Sequence, residues 1–189
     1  MRLDLRNVPP ALGYYLAGFT DGEGSFNVCF RRRRSSRTAW KVSLCFNVSQ
    51  KDEAILRLFQ RTLDCGTVRG RRDGVWYFEV NGFDSICRNV IPFFTRFPFL
   101  SAKKQRDFAS FVRLASLIGE GRHLQADGLR EIVKIRSGMN DGGAGRRKYS
   151  DEEILLEPAG GESPEAICQA RQELGMPPLL KRDEMVRSP

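Results

Sequence analysis

Between residues 25 and 49 the chain alternates apolar and polar side chains in two successive runs. That period of two commits it to a β-hairpin with one face for a core and one for something else. From Ser25 to Arg33, Phe26, Val28 and Phe30 fall on one side and Asn27, Cys29, Arg31 and Arg33 on the other. From Lys41 to Ser49, Val42, Leu44, Phe46 and Val48 alternate against Lys41, Ser43, Cys45 and Asn47, with Ser35-Ser36 as turn residues between the runs. A bend near Arg37 predicts the pairs Asn27–Asn47, Cys29–Cys45, Arg31–Ser43 and Arg33–Lys41. All four keep the polar side chains on one face, and a slip of one residue would exchange the faces.

The flanking sequence supplies the layer that the apolar face needs. A short helix is expected over Leu12 to Asp21, started by Pro9-Pro10 and ended by the glycines of Asp21-Gly22-Glu23-Gly24. After the hairpin come an amphipathic helix over Glu53 to Leu63, with Ile55, Leu58 and Phe59 inward, and a second hairpin, Gly66 to Arg72 and Val75 to Val80, around Asp73-Gly74. Trp76 and Phe78 face either the core or a ligand. Helices over Asp84 to Thr95 and Lys103 to Ile118 complete an α+β order, αββαββα. Further on, Leu129 to Ser137 reads as helix, Asn140 to Arg147 as a glycine and arginine loop, and Tyr149 to Leu156 as another short helix. One domain over residues 1–157 follows, with 158–189 as a weakly attached tail around one helix, Pro164 to Leu174.

Composition removes several function classes. Hydrophobic residues make up 41% and aromatics 10% of the 189 residues, which suits a globular core. No apolar run reaches the ~18–20 residues of a membrane span and the N-terminus lacks a signal-peptide core, so an intracellular location without membrane attachment is expected. The five cysteines, Cys29, Cys45, Cys65, Cys87 and Cys168, form no C-x-x-C pair, and His123 is the one histidine, which argues against a zinc site or a disulfide framework. A net charge of +8 points to a polyanionic partner.

The run Leu16-Ala17-Gly18-Phe19-Thr20-Asp21-Gly22-Glu23-Gly24 resembles the motif that names the LAGLIDADG homing endonucleases. It sits on the expected helix and opens directly into the basic hairpin. Phe46-Asn47-Val48-Ser49-Gln50-Lys51 and Phe97-Pro98-Phe99-Leu100-Ser101-Ala102-Lys103 resemble the family's other two active-site stretches, so the likeness runs from Pro10 to Ile118. The resemblance implies a saddle-shaped antiparallel sheet with added C-terminal helices. It also implies magnesium-dependent double-strand cleavage of a long pseudo-palindromic DNA site. One copy of the motif implies a homodimer, with the small residues Ala17, Gly18 and Gly22 letting two motif helices approach closely.

By the same resemblance Glu23 and the backbone carbonyl of Gly22 bind Mg2+, while Gln50 and Lys103 organise water and charge around the scissile phosphate. Elementary electrostatics agrees for Glu23, because a carboxylate at the C-terminal end of a helix faces the negative end of its dipole unless a cation is bound. Asp21 is expected to be structural, bonded to backbone near the helix end. The family often carries another basic residue shortly after the glutamine; here Asp52, Glu53 and Ala54 stand there, a departure for which Lys51 or Lys104 could substitute.

A two-stranded ribbon fits the major groove, where Arg reads guanine and Asn reads adenine. Asn27, Cys29, Arg31, Arg33, Lys41, Ser43, Cys45 and Asn47 are therefore the candidate DNA-reading residues, joined by Arg69 and Arg71 of the second hairpin. About nine strand residues span roughly nine base pairs, so two subunits cover about twenty. The loop Arg146-Arg147-Lys148 and the helix carrying Arg130, Lys134 and Arg136 are assigned to flanking phosphates. Two alternatives stay open: a maturase that binds intron RNA, and a non-cutting DNA-binding regulator on the same scaffold. Each lone residue is also compatible with a solvated surface position.

Overall fold

Pro9 and Pro10 start the first helix because a proline at the first helical position loses no hydrogen bond. In the computed structural model, which describes residues 3–32, 39–140 and 147–156, α1 spans Pro10–Glu23. It passes through Gly22 rather than stopping at Asp21, and closes when the Gly24 N–H bonds to the Thr20 carbonyl. The strand then leaves with no intervening loop. Gly24 is required there by close approach: a Cβ would lie 2.4 Å from Thr20 Cγ2 and 2.8 Å from its carbonyl oxygen.

The two hairpins form one antiparallel sheet. β1 (Gly24–Arg32) and β2 (Trp40–Gln50) make the first, β3 (Thr67–Gly70) and β4 (Trp76–Val80) the second, and the strand order is β1-β2-β4-β3. β1 pairs with β2 as Asn27↔Cys45, Cys29↔Ser43 and Arg31↔Lys41, so the expected register is corrected by two residues. An even shift leaves every side chain on its face, which is why the face assignment survives while the partners change. Arg33, expected opposite Lys41, lies outside the described residues.

Helices cover the apolar face. α2 (Glu53–Leu63) is capped by the Asp52 side chain on the Ala54 N–H and buries Leu56, Phe59 and Leu63. Ile55 and Leu58, expected innermost, are half-buried at the margin of the core. The stretch expected as one helix over Asp84 to Thr95 is Phe83–Ser85, a wider π turn Ile86–Val90, and Ile91–Arg96, together α3. Pro92 has no N–H to donate, and the ladder widens in the turn ahead of it. α4 (Ala102–Gly119) lies along β1 and β2, α5 (Ala126–Ser137) packs on α4, and α6 (Asp151–Leu156) on α5.

Phe26, fully buried on β1, is the hub of the core: the Phe46, Phe94, Phe99, Phe108 and Phe111 rings lie 5.0–5.8 Å from it. Trp76 and Phe78 resolve to the core face, with Phe78 fully buried. The opposite face is left to the polar residues. Among the described residues no helix is long and apolar enough to cross a membrane.

Candidate active site and nucleic-acid interface

Three elements meet where α1 ends. Glu23 and Gly22 are exposed at the last turn of α1. Gln50 closes β2 two residues beyond Val48, the partner of Gly24, hence roughly 6–7 Å further along the strand. The third element is the start of α4, tied to α1 by Asp21: the carboxylate accepts from the Leu100 N–H at 3.2 Å, the Ser101 N–H at 2.9 Å and the Ser101 hydroxyl. Burial works to raise the Asp21 pKa, but these hydrogen bonds and the Lys104 charge outweigh it, and the carboxyl is held below its ordinary value. Asp21 is thus bonded to backbone as expected, and the backbone belongs to a segment eighty residues away.

At the start of α4 the structure separates the two lysines. Lys103 is exposed, whereas Lys104 is buried and donates from Nζ to the Gly24 carbonyl. Desolvation lowers the Lys104 pKa against the pull of Asp107 and Asp21. Lys104 therefore braces the first residue of β1, directly after Glu23. Helical spacing carried the signal for it: Lys104, Asp107 and Phe111, at i, i+3 and i+7, form the buried face of α4.

Magnesium binds through one or two carboxylates together with substrate phosphate oxygens and water. Among the described residues no three His, Cys, Asp or Glu side chains cluster as a metal cage. What α1 offers is the Glu23 carboxylate beside the Gly22 carbonyl, one of the last-turn carbonyls that have no partner within a helix. All of these are hard oxygen donors at the negative end of the helix dipole. The donor set fits a divalent cation whose coordination is completed by phosphate oxygens and water.

The polar face of the sheet begins at this site. Asn27, Cys29, Ser43 and Asn47 are half-buried, Cys45 is buried, and Arg31 and Lys41 stand exposed opposite one another. Two residues not singled out in the sequence share the face: strict alternation from buried Phe78 and Val80 turns Tyr77 and Glu79 to it. Arg71 donates to the Tyr77 hydroxyl at 2.8 Å and lies over its ring, and Arg69 pairs with Glu79 at 2.5 Å. A groove of about 710 Å3 crosses the face, lined among others by Asn27, Asn47, Glu79 and Asn140.

Asn140 comes from the segment after α5. It adopts a left-handed backbone with φ 50° and donates from Nδ2 to the Phe26 carbonyl at 2.8 Å and to Asn27 Oδ1 at 3.2 Å. Its own N–H bonds to Asp107 at 3.2 Å, so the side chain pegs this segment to the starts of both β1 and α4.

Other expected contacts are placed elsewhere. Arg136 is buried, bonded to Asp151 at 2.9 Å and to the Tyr149 carbonyl at 2.9 Å. Arg147 is bonded to Asp151 and to the Arg136 carbonyl. Both guanidiniums are committed to anchoring α6 rather than presented to phosphate, because the fold places one carboxylate between them. Lys148 is exposed, with its ammonium 5.4 Å from the Tyr149 ring. Arg146 lies outside the described residues. Ala17, expected at a dimer interface, is 1% exposed and packs into its own core, whereas Gly18 and Gly22 have nothing within 4 Å of where a Cβ would stand.

Known proteins share this fold. The LAGLIDADG endonuclease family description matches residues 16–114, from the motif helix into α4. Probable intron-encoded endonuclease 2 of Neurospora crassa is 30% identical over 145 residues, 75% of this chain and 32% of that protein; the chain thus spans about a third of that relative's length. The DNA-complexed archaeal intron-encoded homing endonuclease I-Vdi141I superposes with a TM-score of 0.67 at 25% identity, over 76% of this chain and 91% of that one. The DNA-bound meganuclease I-SmaMI gives a TM-score of 0.66 at 28% identity, over 72% of this chain but only 47% of the other. The matched region takes in most of the motif helix, all four strands and the start of α4, and the chain belongs to the LAGLIDADG endonuclease family.

Proposed function

We propose that two copies of this chain cut both strands of a long, pseudo-palindromic DNA duplex in a magnesium-dependent hydrolysis, inside the cell that carries the target. The observation that carries this reading is the junction of α1 and β1. An exposed carboxylate and free-ended helix carbonyls stand at one end of a polar, basic sheet face, and nothing but Gly24 separates cutting chemistry from reading surface. The near-complete match to I-Vdi141I, against half of I-SmaMI, supports one copy of the unit per chain.

Cleavage of a phosphodiester needs a nucleophilic water, neutralisation of charge on the phosphorus oxygens, and stabilisation of the departing oxygen; bound Mg2+ supplies Lewis acidity for all three. Glu23 and the Gly22 carbonyl would hold the cation. Gln50, at the end of β2, would orient the water. Lys103 would supply a positive charge at the rim, and Lys104 fixes the backbone that aims Glu23. Arg31, Lys41, Arg69, Arg71 and Lys148, with Arg33 and Arg146 in the segments not described, supply the charge that holds DNA, while Asn27, Ser43 and Asn47 meet base edges.

Incubation with a randomised duplex library and Mg2+ tests the proposal. Double-strand cuts at a recurrent site of about twenty base pairs, abolished by EDTA, are expected. Splicing of an intron RNA with no duplex cleavage would favour the maturase instead, and specific binding without either activity a regulator.

A further inference from the structure

The polar face carries one residue that a purely phosphate-binding surface would exclude. Among the described strand residues of that face, Glu79 is the one carboxylate, set by register between Asn47 of β2 and Thr67 of β3. Its side chain is 30% exposed and lines the groove beside Asn27 and Asn47. Two contacts fix its direction: Oε2 lies 2.5 Å from the Arg69 guanidinium, and Oε1 accepts from Cys45 Sγ at 3.6 Å. Burial, and then the Glu79 charge itself, push the Cys45 thiol up to about 12, so it remains a protonated donor.

A fixed carboxylate turned toward DNA is repelled by every phosphate and by every acceptor on a base edge. In the major groove, guanine presents O6 and N7 and thymine presents O4, all acceptors. Adenine offers its N6 amine beside the N7 acceptor, which would face the second carboxylate oxygen. The cytosine N4–H2 donor has an acceptor on one side only, the O6 of its paired guanine, whereas adenine N6–H2 lies between its own N7 and the thymine O4. Resting on the proposed function, we propose that Glu79 is a specificity-determining residue that selects cytosine at one position of each half-site. Arg69, 67% exposed, reaches past it to a neighbouring base or phosphate.

The test uses the full chain and its Glu79→Gln and Arg69→Ala variants. Each is given a library in which every base pair of the recurrent wild-type site is varied singly. Glutamine keeps the shape of glutamate but donates as well as accepts, so it tolerates thymine. The wild type is expected to prefer cytosine over thymine at one position by on the order of ten-fold. Glu79→Gln is expected to abolish that preference while the other positions keep theirs, and Arg69→Ala to leave it in place. An unchanged profile for Glu79→Gln overturns the inference. So does loss of discrimination at the same position in both variants, which would make Glu79 only a clamp for Arg69. If the wild-type protein selects no duplex at all, the proposed function itself fails.

Discussion

Asp21 holds the start of α4 against the end of α1, and its ionisation is built into that contact. A carboxyl whose folded pKa lies below its ordinary 3.8 contributes stability that is fully present above that value and is lost as pH falls through the folded one. Asp21→Asn should therefore be less stable than wild type at pH 7, by roughly 1 kcal/mol for hydrogen bonds to a charged acceptor. The gap should close as pH falls from the ordinary 3.8 through the folded pKa. Urea titrations at pH 7 and across that acid range check this, and a constant gap would contradict it. The nine-residue motif names Asp21 and Glu23, and the two further stretches name Gln50 and Lys103, without geometry, because short patterns fix local chemistry only. Whether Lys103 or Lys104 turns inward depends on the phase of α4, which is readable from Phe108 and Phe111 once the helix is phased on them. Arg136 and Arg147 were illegible as anchors, since the carboxylate that claims them, Asp151, is recognisable as their partner only after α5 and α6 have met.

At the scale of elements, the small residues of α1 divide between two jobs. Gly13 faces inward, where a Cβ would lie 2.4 Å from the Phe97 ring, while Gly18 meets nothing within 4 Å. Gly13→Ala is expected to destabilise the fold by about 1–3 kcal/mol through overpacking. Gly18→Leu should leave the thermal transition of the single chain in place but abolish its dimer in sedimentation. Destabilisation by Gly18→Leu, or an unaltered dimer, would remove α1 from the interface. The alternation of the first hairpin gave both faces correctly, yet placed its partners two residues out of register, because pattern determines faces and turn geometry determines partners. The π turn ahead of Pro92 and the Asn140 peg had no periodic signal at all. One depends on a missing N–H, the other on a long-range contact to the edge of β1.

For the whole molecule, one layer of helices and one sheet leave a polar face with a cation-suited corner at its end, and in the proposed dimer a second copy meeting through α1 would bring two such corners together. The αββαββα order was legible, since β1, β2, β4, α2 and α4 bury periodic stripes and Asp73-Gly74 marks the turn that pairs β3 with β4. The packing of residues 126–140 and 147–156 over the β1 end of the sheet was not, because it follows from single contacts such as Trp40 with Tyr149, ring centroids 4.9 Å apart. Under the proposed function, reading and cutting are separate capacities joined at Gly24, and Glu23 carries the negative charge that would hold the metal. The direct measurement places wild type and Glu23→Gln on the same duplex site, in Mg2+, and records bound fraction and double-strand cleavage side by side. The expected result is binding within about three-fold of wild type, because the substitution lies outside the reading face, and cleavage lower by at least two orders of magnitude, as for loss of a metal-holding group. Cleavage by Glu23→Gln at the wild-type rate would contradict it.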